Sequence, residues 1–196
     1  NLQYFLQKNR LKFAYMKFLL YICRRFWNMT KILFICHGNI CRSPMAEFIM
    51  KQLVTRAGRA DEFEIASAAV STEEIGNDIY PPAKRMLAAK NVPFEHRVAR
   101  QMTRADYAYY DYIVCMDQSN LRWLRYITGL EPEQDIYSGS TDHKVSLMMA
   151  WKFTNHQSPI TNIGHIPDVS DPWYTGDFEK AYDDILEGWQ SMLKQI

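Results

Sequence analysis

Cysteine is scarce in this chain: four residues in 196, at Cys23, Cys36, Cys41 and Cys115. That count does not supply the dense framework of a disulfide-stapled secreted domain, so a reducing, cytoplasmic setting is the expectation. No apolar stretch reaches the ~18–20 residues that a membrane-spanning helix requires. No internal repeat or low-complexity tract is present, which removes solenoids and arrays. Net charge is nearly absent too, at +1. Acid is missing from one region: residues 1–28 hold Lys8, Arg10, Lys12, Lys17, Arg24 and Arg25 and no Asp or Glu. The rest of the chain is therefore acidic on balance and offers no overall basic field for nucleic acid.

Residues 1–28 are aromatic and basic and contain no glycine or proline. They read as an extension outside the domain, and Met29-Thr30-Lys31 looks like a natural beginning. Leu11, Tyr15, Phe18, Leu19, Ile22 and Phe26 partly recur at helical spacing, so an amphipathic helix on a membrane or on the domain is the lesser expectation. A signal-like segment fits less well, because Arg24-Arg25 follows the short apolar run instead of small residues. Residues 29–196 are long enough for one domain with a substantial core.

One stretch organises that domain. Ile32 to Ile35 is a short apolar run with the flavour of a buried strand. It ends at Cys36, passes the turn formers Gly38 and Asn39, and reaches Cys41-Arg42-Ser43-Pro44, where proline suits a first helical turn. A helix from Ser43 to about Ala57 follows. Phe63 to Val70 reads as a second strand and Asp111 to Met116 as a third. Helices are expected over Ala83–Lys90, from the Thr103 cap to Tyr109, over Leu121–Ile127, and over Phe178–Lys194 behind an Asp177 cap. Val145 to Phe153 favours helix over strand, and Ile136-Tyr137 is a candidate short strand. Thr154 to Ser170 reads as a long loop, a common place for function. Strands alternating with helices predict an α/β fold: a single doubly wound domain with a four-stranded parallel sheet and helices on both faces. Ligands of such sheets bind beyond the carboxyl ends of the strands, where Cys36 falls.

The spacing Cys36-x5-Arg42 is suited to phosphate. Backbone N–H groups of a loop entering a helix N-terminus bind its oxygens. Gly38 permits close backbone approach, and Asn39 tolerates positive φ. Arg42 adds a planar charged fork matched to two oxygens. The same field suits an attacking thiolate at Cys36, and Ser43 can donate to that sulfur. Cys36 and Cys41 as metal ligands would lack a second ligand pair, so no metal and no cofactor is expected. Expelling the leaving group of a phosphate ester needs a proton donor, and Asp168, Asp171 and Asp177 are equal candidates on their chemistry alone.

The run Ile35-Cys-His-Gly-Asn-Ile-Cys-Arg-Ser-Pro-Met-Ala-Glu47 resembles the signature of the low-molecular-weight protein tyrosine phosphatases. The likeness continues through Arg100-Gln-Met-Thr103, Asp111 to Leu121, and Asp171-Pro-Trp-Tyr174. It implies Cys36 as nucleophile, Arg42 as phosphate binder and Asp171 as general acid and base. It also implies a substrate cleft formed by His37, Gly38, Asn39, Ile40, Cys41 and Ser43, with Trp173 and Tyr174 walling a slot for an aromatic ring. Asn39, Ser71 and His96 fall where the family supports the loop. Cys41 falls where some members form a reversible disulfide with the nucleophile, sparing it irreversible oxidation. The implied partner is a phosphotyrosine-containing protein, and a monomer or weak dimer is expected.

Two positions depart from the family. His37 stands where an apolar residue or Thr is usual, and Glu73 stands where many eukaryotic members carry an aromatic. Three alternatives remain in view. An arsenate reductase of this fold needs relay cysteines that Cys115 alone does not supply. Protein-arginine phosphatases carry Thr where Ile40 stands. A non-catalytic phosphopeptide-binding module has no use for nucleophile, arginine and acid together.

Overall fold

The computed structural model describes residues 29–129, 144–152 and 166–196. The apolar run following Lys31 forms β1 (Thr30–Cys36), and its Ile32, Leu33, Phe34 and Ile35 are completely buried. Each such side chain contributes about 1.5–3 kcal/mol over leaving it exposed, which explains an apolar run without alternation. The other strands are β2 (Phe63–Ala69), β3 (Tyr112–Cys115) and β4 (Val145–Leu147). All pairs are parallel and the order is β2-β1-β3-β4, so β1 is central. Cys36 therefore leaves the sheet at its carboxyl edge, opposite Ala69.

The helices are α1 (Arg42–Arg56), α2 (Pro81–Ala89), α3 (Arg104–Tyr109), α4 (Gln118–Thr128), α5 (Pro172–Thr175) and α6 (Phe178–Met192). Helices α1, α2 and α6 pack together, and α3 packs with α4, giving two layers around the sheet. Side-chain caps start α3, α4 and α6, those of α3 and α6 where the sequence predicts them. Thr103 and Asp106 form a reciprocal capping box, Asp117 accepts from the Asn120 N–H, and Asp177 accepts from the Lys180 N–H. The α1–sheet–α6 contact is centred on Phe34 and Trp189, whose rings meet edge-on at 5.0 Å, while the indole N–H donates to the Ala46 carbonyl.

The helix expected over Val145–Phe153 is corrected. Residues Val145–Leu147 form the fourth strand, and Met148–Lys152 make a 3-10 turn. An apolar run this short fits a strand buried on both faces as well as a helix, and packing decides. Met148 lies against Gly188 of α6, where an added Cβ would come within 2.8 Å of its Cγ. The missing side chain lets the 3-10 turn lie directly on the helix. The candidate strand at Ile136-Tyr137, residues 1–28 and most of the 154–170 loop lie outside the described residues.

Candidate active site

Cys36 ends β1 with 3% of its surface exposed, and the chain turns through residues 37–41 before Arg42 opens α1. Asn39 sits in the left-handed region at φ 58°. That turn directs its backbone N–H at the Cys36 sulfur, 3.2 Å away. The Ser43 hydroxyl lies 3.0 Å from the same sulfur. A thiol at a strand end thus faces a loop amide, a hydroxyl and the head of a helix, a setting that stabilises negative charge.

The loop is braced from behind by its own buried side chain. The Asn39 amide donates to the hydroxyls of Ser43 and Ser67, each at 2.9 Å. Its Oδ1 accepts from the Arg97 guanidinium at 2.7 Å and from the Arg100 N–H at 3.3 Å. Arg97 also donates to the Asn39 carbonyl at 3.0 Å and to the Ser67 carbonyl at 3.3 Å. Glu47 of α1 closes the network, accepting from the Ser67 hydroxyl at 2.6 Å. Every polar group of buried Asn39 is matched, so a costly conformation is held firmly.

Of the three loop supports that the family likeness implied, Asn39 is at the centre of the network, but its side-chain partners are Ser43, Ser67 and Arg97, with neither Ser71 nor His96 among them. Ser67, inside β2, touches Asn39; Ser71 instead donates its backbone N–H to the His37 carbonyl. His96 is exposed and bonds Asp78 at 2.8 Å, while its neighbour Arg97 turns inward. Exposure alternates along residues 96–99, with His96 and Val98 outside and Arg97 and Ala99 turned inward.

Arg42 is 3% exposed and lies between two carboxylates, Asp117 at 2.6 Å and Asp171 at 2.5 Å. Burial works against its charge, but the Cys36, Asp117 and Asp171 charges outweigh that and hold its pKa above the ordinary value. The three candidate acids separate here. Asp168 accepts from the Gln118 N–H and Asp177 caps α6, whereas Asp171 reaches Arg42 and lines the same cleft as Cys36. Burial is the first cause raising the pKa of Asp168. Asp171 is also the cap of α5, accepting from the Trp173 N–H at 3.1 Å.

The cleft encloses about 140 Å³, with Cys36 and Arg42 in its lining and Gly38, Ile40 and Cys41 around them. Burial pushes the Cys41 thiol well up, with the nearby Cys36 and Asp171 charges adding to it. At the rim His37 and Glu73 meet at 3.0 Å, and the side chain of Glu74 lies on Gly38, where a Cβ would come within 2.9 Å of its Cγ. Trp173 and Tyr174 are 53% and 85% exposed, and Trp173 leans on Tyr80 with ring centres 5.2 Å apart. Among the described residues no three His, Cys, Asp or Glu side chains are grouped to hold a metal ion.

A family model described as low molecular weight phosphotyrosine protein phosphatase matches residues 31–196. The chain is 32% identical over 168 residues to the low molecular weight protein-tyrosine-phosphatase YfkJ of Bacillus subtilis, covering 86% of this chain and 96% of that protein. It is 45% identical over 169 residues to the low molecular weight phosphotyrosine protein phosphatase of Gallus gallus, covering 85% and 96%. The crystal structure of YfkJ resembles it with a TM-score of 0.70 at 31% identity, covering 86% of this chain and 94% of that one. The structure of DARP, drosophila arginine phosphatase, resembles it with a TM-score of 0.67 at 26% identity, covering 85% and 97%.

Proposed function

We propose, from the premise that the chain belongs to the low-molecular-weight protein tyrosine phosphatase family, that Cys36 is the nucleophile, Arg42 the phosphate ligand and Asp171 the general acid and base. The protein is a phosphoric monoester hydrolase that cleaves phosphotyrosine through a phosphocysteine. In the first step the Cys36 sulfur attacks phosphorus while the P–O bond to the ring breaks, and Asp171 gives its proton to the departing phenolate. In the second, water attacks the phosphocysteine, Asp171 takes the water's proton, and the thiolate leaves toward Ser43 and the Asn39 N–H. Charge on the transferring group is balanced by Arg42 and the loop amides, so the reading assigns no step to a metal. A phosphate seated on Arg42 competes with Asp171 for the same N–H, which frees the carboxyl to turn toward the leaving oxygen.

The observation that carries this is the convergence at one sulfur: Ser43 at 3.0 Å and the Asn39 N–H at 3.2 Å, in one cleft with Arg42 and Asp171. Trp173 and Tyr174 beside it support an aromatic leaving group. The likeness to DARP makes phosphoarginine the activity to test against. Wild type, Cys36→Ser and Asp171→Asn are assayed on phosphotyrosine, phosphoarginine and arsenate. Cys36→Ser should lose essentially all phosphotyrosine turnover and Asp171→Asn about 10²–10⁴-fold. Full turnover by Cys36→Ser would refute the mechanism, and faster turnover of phosphoarginine would reassign the substrate.

We further read residues 29–196 as the catalytic domain and 1–28 as an extension, supported by a family match that begins at residue 31. Membrane contact by that extension is the lesser reading. We also read the protein as a cytoplasmic monomer or weak dimer acting on phosphotyrosine proteins, with the described cysteines free as thiols. Cys36 and Cys41 line one cleft, which supports a reversible disulfide between them as redox protection.

A further inference from the structure

We propose that the open groove between α2 and the turn from α5 to α6 docks the substrate chain beside its phosphotyrosine, taking an apolar side chain and a carboxylate two or three residues away from it. The proposal rests on the reading of the protein as a phosphotyrosine phosphatase. The groove encloses about 680 Å³ and shares one residue, Trp173, with the smaller cleft over Cys36. A chain whose phosphotyrosine occupies the cleft emerges at the rim, where Trp173 is exposed, and the groove begins at that residue. Ring centres step 5.2 Å from Trp173 to Tyr80 and 6.2 Å from Tyr80 to Phe178. Three extended residues span about 10 Å, so the second or third neighbour of the phosphotyrosine reaches Tyr80 and Phe178.

The sequence of α2 builds one wall. Ala83 and Leu87 are buried against the core, which turns Pro82, Arg85, Met86 and Ala89, spaced i, i+3, i+4 and i+7, to the groove. Pro172, Trp173 and Phe178 form the opposite wall. On that side the chain turns at Gly176, where an added Cβ would meet nothing within 4 Å. The lining is therefore mostly apolar and aromatic, with three charged side chains. Two of them are engaged: Asp177 accepts from the Lys180 N–H at 2.8 Å, and Glu179 pairs with Lys90. The third, Arg85, is exposed and makes no ion pair among the described residues. An apolar trough with one uncommitted cation suits an apolar side chain next to a carboxylate. Glu73 and Glu74 line the cleft but not the groove, so a substrate carboxylate is disfavoured at the cleft mouth and favoured at Arg85.

The test compares wild type, Arg85→Glu and Met86→Ser in the full chain, with folding followed by circular dichroism. Substrates are p-nitrophenyl phosphate, free phosphotyrosine, and phosphotyrosine peptides that carry a Leu-Glu pair at the second and third positions before or after the phosphotyrosine, or alanines throughout. Wild type should prefer one of the two Leu-Glu peptides to the alanine peptide by about tenfold in kcat/KM, roughly fivefold from burying the leucine and two- to threefold from the exposed ion pair. The preference should lie in KM, because the contact is the same in ground state and transition state. Arg85→Glu should cut it at least threefold and Met86→Ser about twofold, while both hydrolyse free phosphotyrosine at the wild-type rate. Should Met86→Ser not fold, Arg85→Glu at the surface decides the matter. A wild type that prefers neither Leu-Glu peptide by more than twofold overturns the proposal. A preference unchanged in Arg85→Glu overturns it too, as does an equal loss on free phosphotyrosine. Hydrolysis of p-nitrophenyl phosphate without turnover of phosphotyrosine or any of the peptides would instead overturn the reading of the substrate, leaving the two failures distinct.

Discussion

The back and the front of the cradle are built differently. Behind Cys36 the supporting groups are buried, and Asn39 has partners on its carbonyl, its side-chain oxygen, its amide and its N–H. In front, Trp173, Tyr174 and Glu73 are exposed and His37 is half-buried, held by ring contacts and one rim ion pair. A buried polar network is rigid because each lost partner strands another group, whereas exposed groups exchange protein contacts for water at little cost. The back therefore preorganises charge stabilisation, and the front meets substrates of varied shape. Asp171 bridges the two, bonded to buried Arg42 while capping the short helix that carries Trp173 and Tyr174.

Breaking the back should have the largest effect. Asn39→Ala would leave Arg97, Arg100, Ser43 and Ser67 without a shared partner and put a Cβ-bearing residue lacking local hydrogen bonds into the left-handed region. Each stranded buried group costs about 1–3 kcal/mol, partly recovered by water, and the backbone adds about 1–2 kcal/mol. The expected outcome is a melting temperature lower by about 5–10 °C and a kcat reduced about 10²-fold or more, read by calorimetry and by initial rates. A variant that melts early yet turns over at the wild-type rate would show that the network serves folding alone.

The front should respond in binding. Trp173→Ala removes a wall but leaves the backbone N–H that holds Asp171. An aromatic contact of this kind contributes about 0.5–1.5 kcal/mol, so KM for a phosphotyrosine peptide should rise roughly two- to tenfold with kcat little changed. A phosphate ester without an aromatic ring should show no such rise. A matching fall in kcat would mean that the rim and the floor are one unit.

How readily each part was legible in the sequence follows the same division. The strand, the loop and α1 were legible because a run of four fully buried residues, a turn and a proline-led helix are local signals. The caps at Thr103 and Asp177 were legible for the same reason. The fourth strand was not: three residues carry too little periodicity, and their identity as a strand comes from pairing with β3, far back along the chain. Nor was the back of the cradle, because choosing Arg97 over His96 needs the facing of residues 96–99, which is set by contacts with β2 and the loop. The chemistry of the residues did not separate Asp171 from Asp168 and Asp177; the family likeness chose it, and its contact with Arg42 is the physical distinction. His37, an odd residue in the loop by sequence, has a plain role at the rim, paired with Glu73 and edge-on to Trp123.

That pair sets the smallest prediction. Glu73 is a mostly exposed carboxylate at the mouth of a cleft that takes a dianion, partly offset by its contact with His37. Exposed charges act weakly through water and are screened within about 10 Å at 0.1 M salt. Glu73→Gln should therefore raise kcat/KM about two- to threefold for phosphopeptides with acidic neighbours and leave neutral ones unchanged. The gain should shrink as salt is added, because repulsion by a solvated charge is the cause. A gain that is independent of salt, or equal for neutral peptides, would mean that Glu73 shapes the rim through contact, and the front would then share the rigidity of the back.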